Sequence, residues 1–277
     1  MSCSKICTRE EKMIQKDEFT GNCIVREDSN SVVTLTMDQP KKRNALSSKM
    51  MDALLTELND IAASPNIRAV ILAANGPVFC AGHDLKELKG ISHCDGHAAL
   101  FAQCSELMMR IVTLPQPVIA QIHGMATAAG CQLVASCDLA VASDTAKFAT
   151  PGVNIGLFCS TPMVALSRNI ARKHAMRMLL TGDPISAEQA WQMGLISDIV
   201  SEDELETATR DLAARIAEKS GSTVKIGKEA FYRQIEMPLA SAYDYASSVM
   251  TTNMQTSDAG EGIGAFVEKR HPTWRHE

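Results

Sequence analysis

Between Cys23 and Met37 apolar and polar residues alternate in two short runs, CIVRE and SVVTLTM. Asp28, Ser29 and Asn30 between them predict a β-hairpin. The period then changes. After Pro40 and a basic turn, KKRN, Ser47 is placed to cap a helix in which Met50, Met51, Leu54, Leu55 and Leu58 recur at helical spacing up to Ala62. The unbroken apolar run AVILAA (69–74) predicts a buried strand, followed by a loop with Gly76, Pro77 and Gly82. A helix is predicted from His97 to Thr113. Pro115 and Pro117 end it before a strand, PVIAQIHG (117–124), a short helix from Thr127 to Ser136, and a strand, DLAVAS (138–143). From Ser160 onward the pattern is almost wholly helical. Helices are predicted over Thr161–Arg172, Arg172–Thr181, Ser186–Met193, Glu202–Lys219, Val224–Ile235 and Leu239–Met254. Strands alternating with helices over 65–145 define an α/β fold. The chain divides into a poorly ordered extension (1–19), an α/β core (20–200) and a helical C-terminal region (201–277).

Composition narrows the function classes. The 277 residues are 45% hydrophobic and 21% charged, ordinary for a globular chain. A net charge of -5 and the lack of a long basic run give no electrostatic case for nucleic acid. No apolar stretch reaches the roughly 18–20 residues that span a bilayer. The first 19 residues mix Lys5, Arg9, Lys12 and Lys16 with Glu10, Glu11, Asp17 and Glu18, unlike a secretory signal or an acid-poor transit peptide. The nine cysteines show neither C-x-x-C pairs nor zinc spacing, and Cys80, Cys131 and Cys137 lie in apolar runs. They read as buried free thiols of an intracellular, reducing setting, and no metal site is expected.

Three segments carry chemistry: PKKRNALS (40–47), PVFCAGHDLKEL (77–88) and the long run from Pro117 to Leu157 that contains GMATAAGCQLVASCD. In this order and spacing, closed by EGIGAFVEKRHPTW, they resemble the crotonase (enoyl-CoA hydratase/isomerase) family of acyl-CoA enzymes. The resemblance implies a crotonase, ClpP-like spiral of ββα units with a helical C-terminal trimerisation region, in homotrimers or homohexamers. It implies an acyl-CoA thioester as substrate, with coenzyme A part of that substrate and no separate cofactor, a role in lipid metabolism, and a mitochondrial or else cytoplasmic location. The family's oxyanion hole, two backbone N–H groups, falls on His83 and Ala129. Small residues from Ala126 to Gly130 at a predicted helix start would suit a developing oxyanion, though by themselves they fit a tightly packed helix start as well. Coenzyme A contacts fall on Lys41, Arg43 and Ala45 of the basic turn, on Ala81, Asp84, Leu85 and Lys86 of the second segment, and on Phe266 and Lys269, which in relatives reach an adjacent subunit's ligand. Solvated charge and helix packing would account for these residues equally.

The family pattern fails where protons move. Hydratases of this family use two glutamates, and those positions are Gln132 and Gly152 here. Glutamine neither accepts nor releases a proton near neutrality, and glycine has no side chain. With each group worth roughly 10²–10⁴ in rate, classical hydratase activity is expected to be weak or absent. Asp84 and Glu87 are the nearest carboxylates that could substitute, while Asp138 reads as pinning a strand start. His83 follows the glycine of its loop as in decarboxylases of malonyl-type thioesters within the family, where loss of carbon dioxide itself makes the enolate. The tyrosine those enzymes carry downstream is missing from GLFCSTP. Three readings stand: an acyl-CoA-binding, hydratase-deficient member, a malonyl-type decarboxylase, and a non-catalytic acyl-CoA-responsive oligomer. Cys159 and His123 read as packing.

Overall fold

The computed structural model describes residues 23–276, so the extension expected over 1–19 lies outside the described residues. β1 (Ile24–Ser29) and β2 (Val32–Met37) form the hairpin. It turns two residues later than the pattern predicts. Asn30 (φ 49°) and Ser31 (φ 64°) both take the left-handed backbone of a two-residue turn whose twist matches that of the strands, so Asp28 and Ser29 stay in β1. α1 (Ser48–Ala63) starts as expected, the Ser47 side chain accepting from the Met50 N–H.

A repeat then begins. β3 (Ala69–Ala74) is followed by β4 (Val78–Cys80), α2 (Leu85–Gly90) and α3 (Cys94–Thr113). β5 (Val118–Ile122) is followed by β6 (Met125–Thr127) and α4 (Ala129–Ser136), and β7 (Leu139–Ser143) by β8 (Lys147–Ala149). The first strand of each unit enters a six-stranded sheet and the second a four-stranded sheet. Each turn of the chain therefore adds one strand to both layers. α5 (Ser160–Asn169), α6 (Arg172–Thr181), β9 (Ile185–Ser186), α7 (Ala187–Met193), β10 (Asp198–Val200), α8 (Leu205–Ala217), α9 (Gly221–Gln234), α10 (Leu239–Asn253) and α11 (Ser257–Glu268) complete the chain. β9 closes one edge of the small sheet and β10 one edge of the large one.

The central strands of the large sheet are buried on both faces, which is why β3 reads as unbroken AVILAA rather than as an alternation. Val70 and Leu72 join the main core with Leu54, Leu58, Leu107 and Ile111 of α1 and α3, while Ala69, Ile71 and Ala73 pack against Leu205 and Ala213 of α8.

Several boundaries move. The helix expected from Thr127 starts at Ala129, because pairing with β4 and β8 holds Met125–Thr127 extended. α3 begins at Cys94 rather than His97. Ile170 and Ala171 separate α5 from α6, so Arg172 belongs to α6 alone. A 3₁₀ turn over Glu202–Glu204 precedes α8. Two short strands interrupt the C-terminal helices, and α11 adds a helix that the pattern did not separate. Among the described residues no helix is long and apolar enough to cross a membrane.

Candidate active site

The three quoted segments meet at one edge of the small sheet. β4, β6 and β8 are parallel neighbours, and their C-terminal ends lead into Ala81–Asp84, Ala128–Ala129 and Thr150–Gly152 respectively. Parallel strands deliver the loops that follow them to the same side, where α/β folds place their ligands.

Glycines set how closely those loops approach. Gly82 takes φ +84°, and a Cβ built on it would lie 2.9 Å from the Thr127 carbonyl oxygen, 2.9 Å from the Ala128 Cβ and 3.2 Å from the Ala129 nitrogen. Only glycine lets this backbone rest on the start of α4. Gly130 is tighter still: a Cβ there would sit 2.3 Å from the Cys80 carbonyl oxygen. Ala128 takes φ 52°, ψ -118°, a conformation costing an alanine on the order of 1–3 kcal/mol. Its N–H donates to the Ala149 carbonyl at 2.9 Å, tying the third loop to the second. The Ala129 N–H belongs to the first turn of α4 and has no partner within the helix, at the end where the helix carries partial positive charge. Ala129 and the backbone of His83, next to Gly82, are thus brought side by side.

The basic turn docks on the same loop. Asn44, fully buried, takes φ 50°; its Oδ1 accepts from the Gln39 N–H at 2.9 Å, and its Nδ2 donates to the carbonyls of Asn75 (2.8 Å) and Val78 (3.1 Å). With the turn locked, the Ala81 N–H donates to Arg43 and the Leu46 N–H to Gly82, making a short parallel bridge between Leu46 and His83. Lys41, Lys42 and Arg43 remain exposed, as do Leu85 and Lys86, while Ala45 is buried. The structure therefore joins Lys41, Arg43, Ala45, Ala81, Asp84, Leu85 and Lys86 into one rim. Phe266 and Lys269 stand apart at the end of α11, both exposed, and among the described residues no hydrogen bond or ion pair links them to these loops.

The carboxylates that could replace the glutamates have structural duties. Asp84 caps α2, accepting from the N–H groups of Lys86 (2.9 Å) and Glu87 (3.3 Å). Glu87 accepts from the Ser48 N–H at 3.0 Å, at the start of α1. Asp138 accepts from the Val118 N–H (2.7 Å), Lys228 Nζ (2.7 Å) and the Tyr232 hydroxyl (3.0 Å), clamping α9 to the body as a strand-start pin. His123 Nε2 donates to the Gly76 carbonyl at 2.7 Å, so it too is engaged in packing.

Gln132 sits one turn into α4 and is almost fully buried. At the second glutamate position, a Cβ on Gly152 would meet the Leu157 carbonyl oxygen at 2.8 Å and the Cys159 Sγ at 2.9 Å. The space a side chain needs is filled by the Cys159 thiol. Burial raises the pKa of that thiol, with an opposing contribution from the Gly152 backbone, so Cys159 is a packed neutral group rather than a ready nucleophile. The walls are dry: burial pushes the Cys80 and Cys131 thiols up to about 12.

Three buried polar atoms around this edge have no hydrogen-bond partner among the described residues: His83 Nε2, Gln132 Oε1 and Thr150 Oγ1. His83 follows β4, Gln132 lies in α4 after β6, and Thr150 follows β8. His83 Nδ1 lies 3.2 Å from the Leu46 carbonyl, which only accepts, so Nδ1 carries the hydrogen and the neutral ring leaves a lone pair on Nε2. Burial lowers the pKa of this histidine, opposed by the Leu46 contact and the charge of Glu87, and the Phe101 ring meets it edge-on at 5.5 Å. Thr150 and Phe101 were not singled out in the sequence. Thr150 had a signal, since TPG closes an apolar strand; Phe101, one apolar residue of a long helix, had none.

The chain belongs to the enoyl-CoA hydratase/isomerase family, whose model matches residues 27–277, and its fold is the crotonase spiral. Over 247 residues it is 49% identical to the protein of Rattus norvegicus named enoyl-CoA hydratase domain-containing protein 3, mitochondrial, covering 89% of this chain and 82% of that one. The crystal structure of human enoyl-CoA hydratase domain-containing protein 3 matches with a TM-score of 0.89 at 48% identity, covering 91% of this chain and all (100%) of the other. An enoyl-CoA hydratase crystal structure from Mycobacterium smegmatis matches with a TM-score of 0.89 at 48% identity, covering 91% and 98%.

Proposed function

We propose that this protein binds acyl-CoA thioesters in lipid metabolism, holds the thioester oxygen between the N–H groups of His83 and Ala129, and is a poor hydratase. The observation that carries the proposal is the position of Gly152, where the Cys159 sulfur and the Leu157 carbonyl occupy the room of a catalytic side chain, while Gln132 supplies only an amide. Two N–H donors at a helix start stabilise an enolate oxygen without any acid or base. Lys41, Arg43 and Lys86 would meet the phosphates of coenzyme A, with Ala45, Ala81, Asp84 and Leu85 along the nucleotide's path. No separate cofactor is needed. Exposed apolar residues on α9 to α11, among them Phe231, Leu239, Tyr243 and Phe266, support a homotrimer or homohexamer in which Phe266 and Lys269 reach a neighbouring ligand. The mitochondrial relative supports a mitochondrial location.

Incubation with crotonyl-CoA, following loss of the conjugated thioester by absorbance, tests the claim. Turnover in the usual enzymatic range, with kcat of about 1–10³ per second, would refute it. A second reading, decarboxylation of a malonyl-type thioester, is favoured by His83 beside the oxyanion frame. Carbon dioxide release from methylmalonyl-CoA that is unchanged in His83→Ala removes the reason for it.

A further inference from the structure

The buried lone pair on His83 Nε2 has no partner, and neither do its neighbours Gln132 Oε1 and Thr150 Oγ1. Leaving a buried polar atom unpaired costs about 1–3 kcal/mol. The three atoms lie on the elements that follow β4, β6 and β8, and a ligand entering there would offset the cost. His83 differs from the other two because its open atom is a base. The contact to Leu46 fixes the hydrogen on Nδ1, so Nε2 is the accepting end. The ring is anchored at one side by that carbonyl and bordered by Phe101, which is itself partly exposed.

We infer that His83 is the proton-transfer residue of this site, Nε2 removing a proton from the α-carbon of an acyl thioester whose oxygen is held by the N–H groups of His83 and Ala129. The inference rests on the acyl-thioester reading above. In the forward step the Cα–H bond breaks, its electron pair forms the enolate, negative charge settles on the thioester oxygen, and the proton ends on Nε2 to give an imidazolium. In the return step the imidazolium gives a proton to the α-carbon and restores the thioester. Nothing is oxidised or reduced, and no water is added. The same residue thus supplies one hydrogen-bond donor through its main chain and the base through its ring, in a site whose glutamate positions hold an amide and a filled space.

The experiment follows α-proton exchange. Full-length protein is incubated with butyryl-CoA in deuterated buffer, the C2 signal is read by NMR, and binding is measured separately by calorimetry. Deuterium is expected to enter C2. In His83→Asn, whose amide nitrogen can still donate to the Leu46 carbonyl, exchange is expected to fall by about 100-fold or more while binding persists. Should that variant fold poorly, His83→Gln gives a second readout, with the same loss of exchange expected while binding persists. Binding without exchange overturns the role of His83, and so does exchange undiminished in His83→Asn. Absence of binding overturns the acyl-thioester reading itself.

Discussion

The loops after β4 and β6 differ from the loop after β8 in what they ask of their residues. The first two present main-chain N–H groups, and their geometry is fixed by close contacts at Gly82 and Gly130 that exclude a Cβ. The third lies where the proposed reading looks for a side chain, and Gly152 provides none while Cys159 fills the volume. A backbone device survives any sequence that keeps the approach tight. A side-chain device is lost with one residue. On the proposed reading, the site keeps what holds an enolate and lacks the family's means of making one from water and an alkene.

The largest effect is expected where α4 ends, at the clamp that carries both devices. Lys228→Met leaves the Asp138 carboxylate without its cation in a mostly buried setting and is expected to cost about 3–5 kcal/mol in urea unfolding. A loss under about 1 kcal/mol, the worth of a surface pair, would mean that α9 is dispensable for the α4 end. Next is the frame itself. Gly130→Ala drives a methyl into the Cys80 carbonyl, with an expected loss of about 1–3 kcal/mol or more and of acyl-CoA binding in calorimetry. Unchanged binding would show that the approach of β4 to α4 is not what sets the oxyanion geometry.

Restoring the glutamates sharpens the contrast. Gln132→Glu fits the existing volume, but Gly152→Glu meets a sulfur and a carbonyl, so the double variant is expected to be destabilised by about 1–3 kcal/mol and to hydrate crotonyl-CoA no better than Gln132→Glu alone. Efficient hydration by the double variant would show that the loop after β8 yields easily. The smallest effect concerns pH. The folded-state pKa of His83 lies below its ordinary 6.5, so the unfolded chain takes up a proton first as pH falls through that value. His83 is expected to contribute nothing above this range and to erode stability below it. In His83→Asn, thermal unfolding across pH 7 to 5 should decline less steeply than in the unmodified protein.

The large sheet was legible because burial on both faces writes itself as apolar runs, as in AVILAA. The small sheet was not. Val78–Cys80, Met125–Thr127 and Lys147–Ala149 are three residues each, too short for a period, and they exist because parallel neighbours pair with them. That pairing also explains why the helix start shifted from Thr127 to Ala129. The meeting of the loop of Gly82 and His83 with the start of α4 at Ala129 was legible through motif order. The filled space at Gly152 was not, since it depends on a sulfur seven residues away brought back by a 3₁₀ turn over Pro151–Ile155. Asp84, an apparent spare carboxylate in the sequence, turned out to be a helix cap, which DLKEL allowed for but did not require.

The Cys159 sulfur against Gly152 has an evolutionary reading. A change from glycine to glutamate at this position places the first carbon of the new side chain against that thiol. A side chain at this position needs a compensating change at or around Cys159 in the same molecule. On the proposed reading the packing at Gly152 acts as a ratchet, leaving local variation freer to explore chemistry that begins and ends at the enolate than to reach hydration.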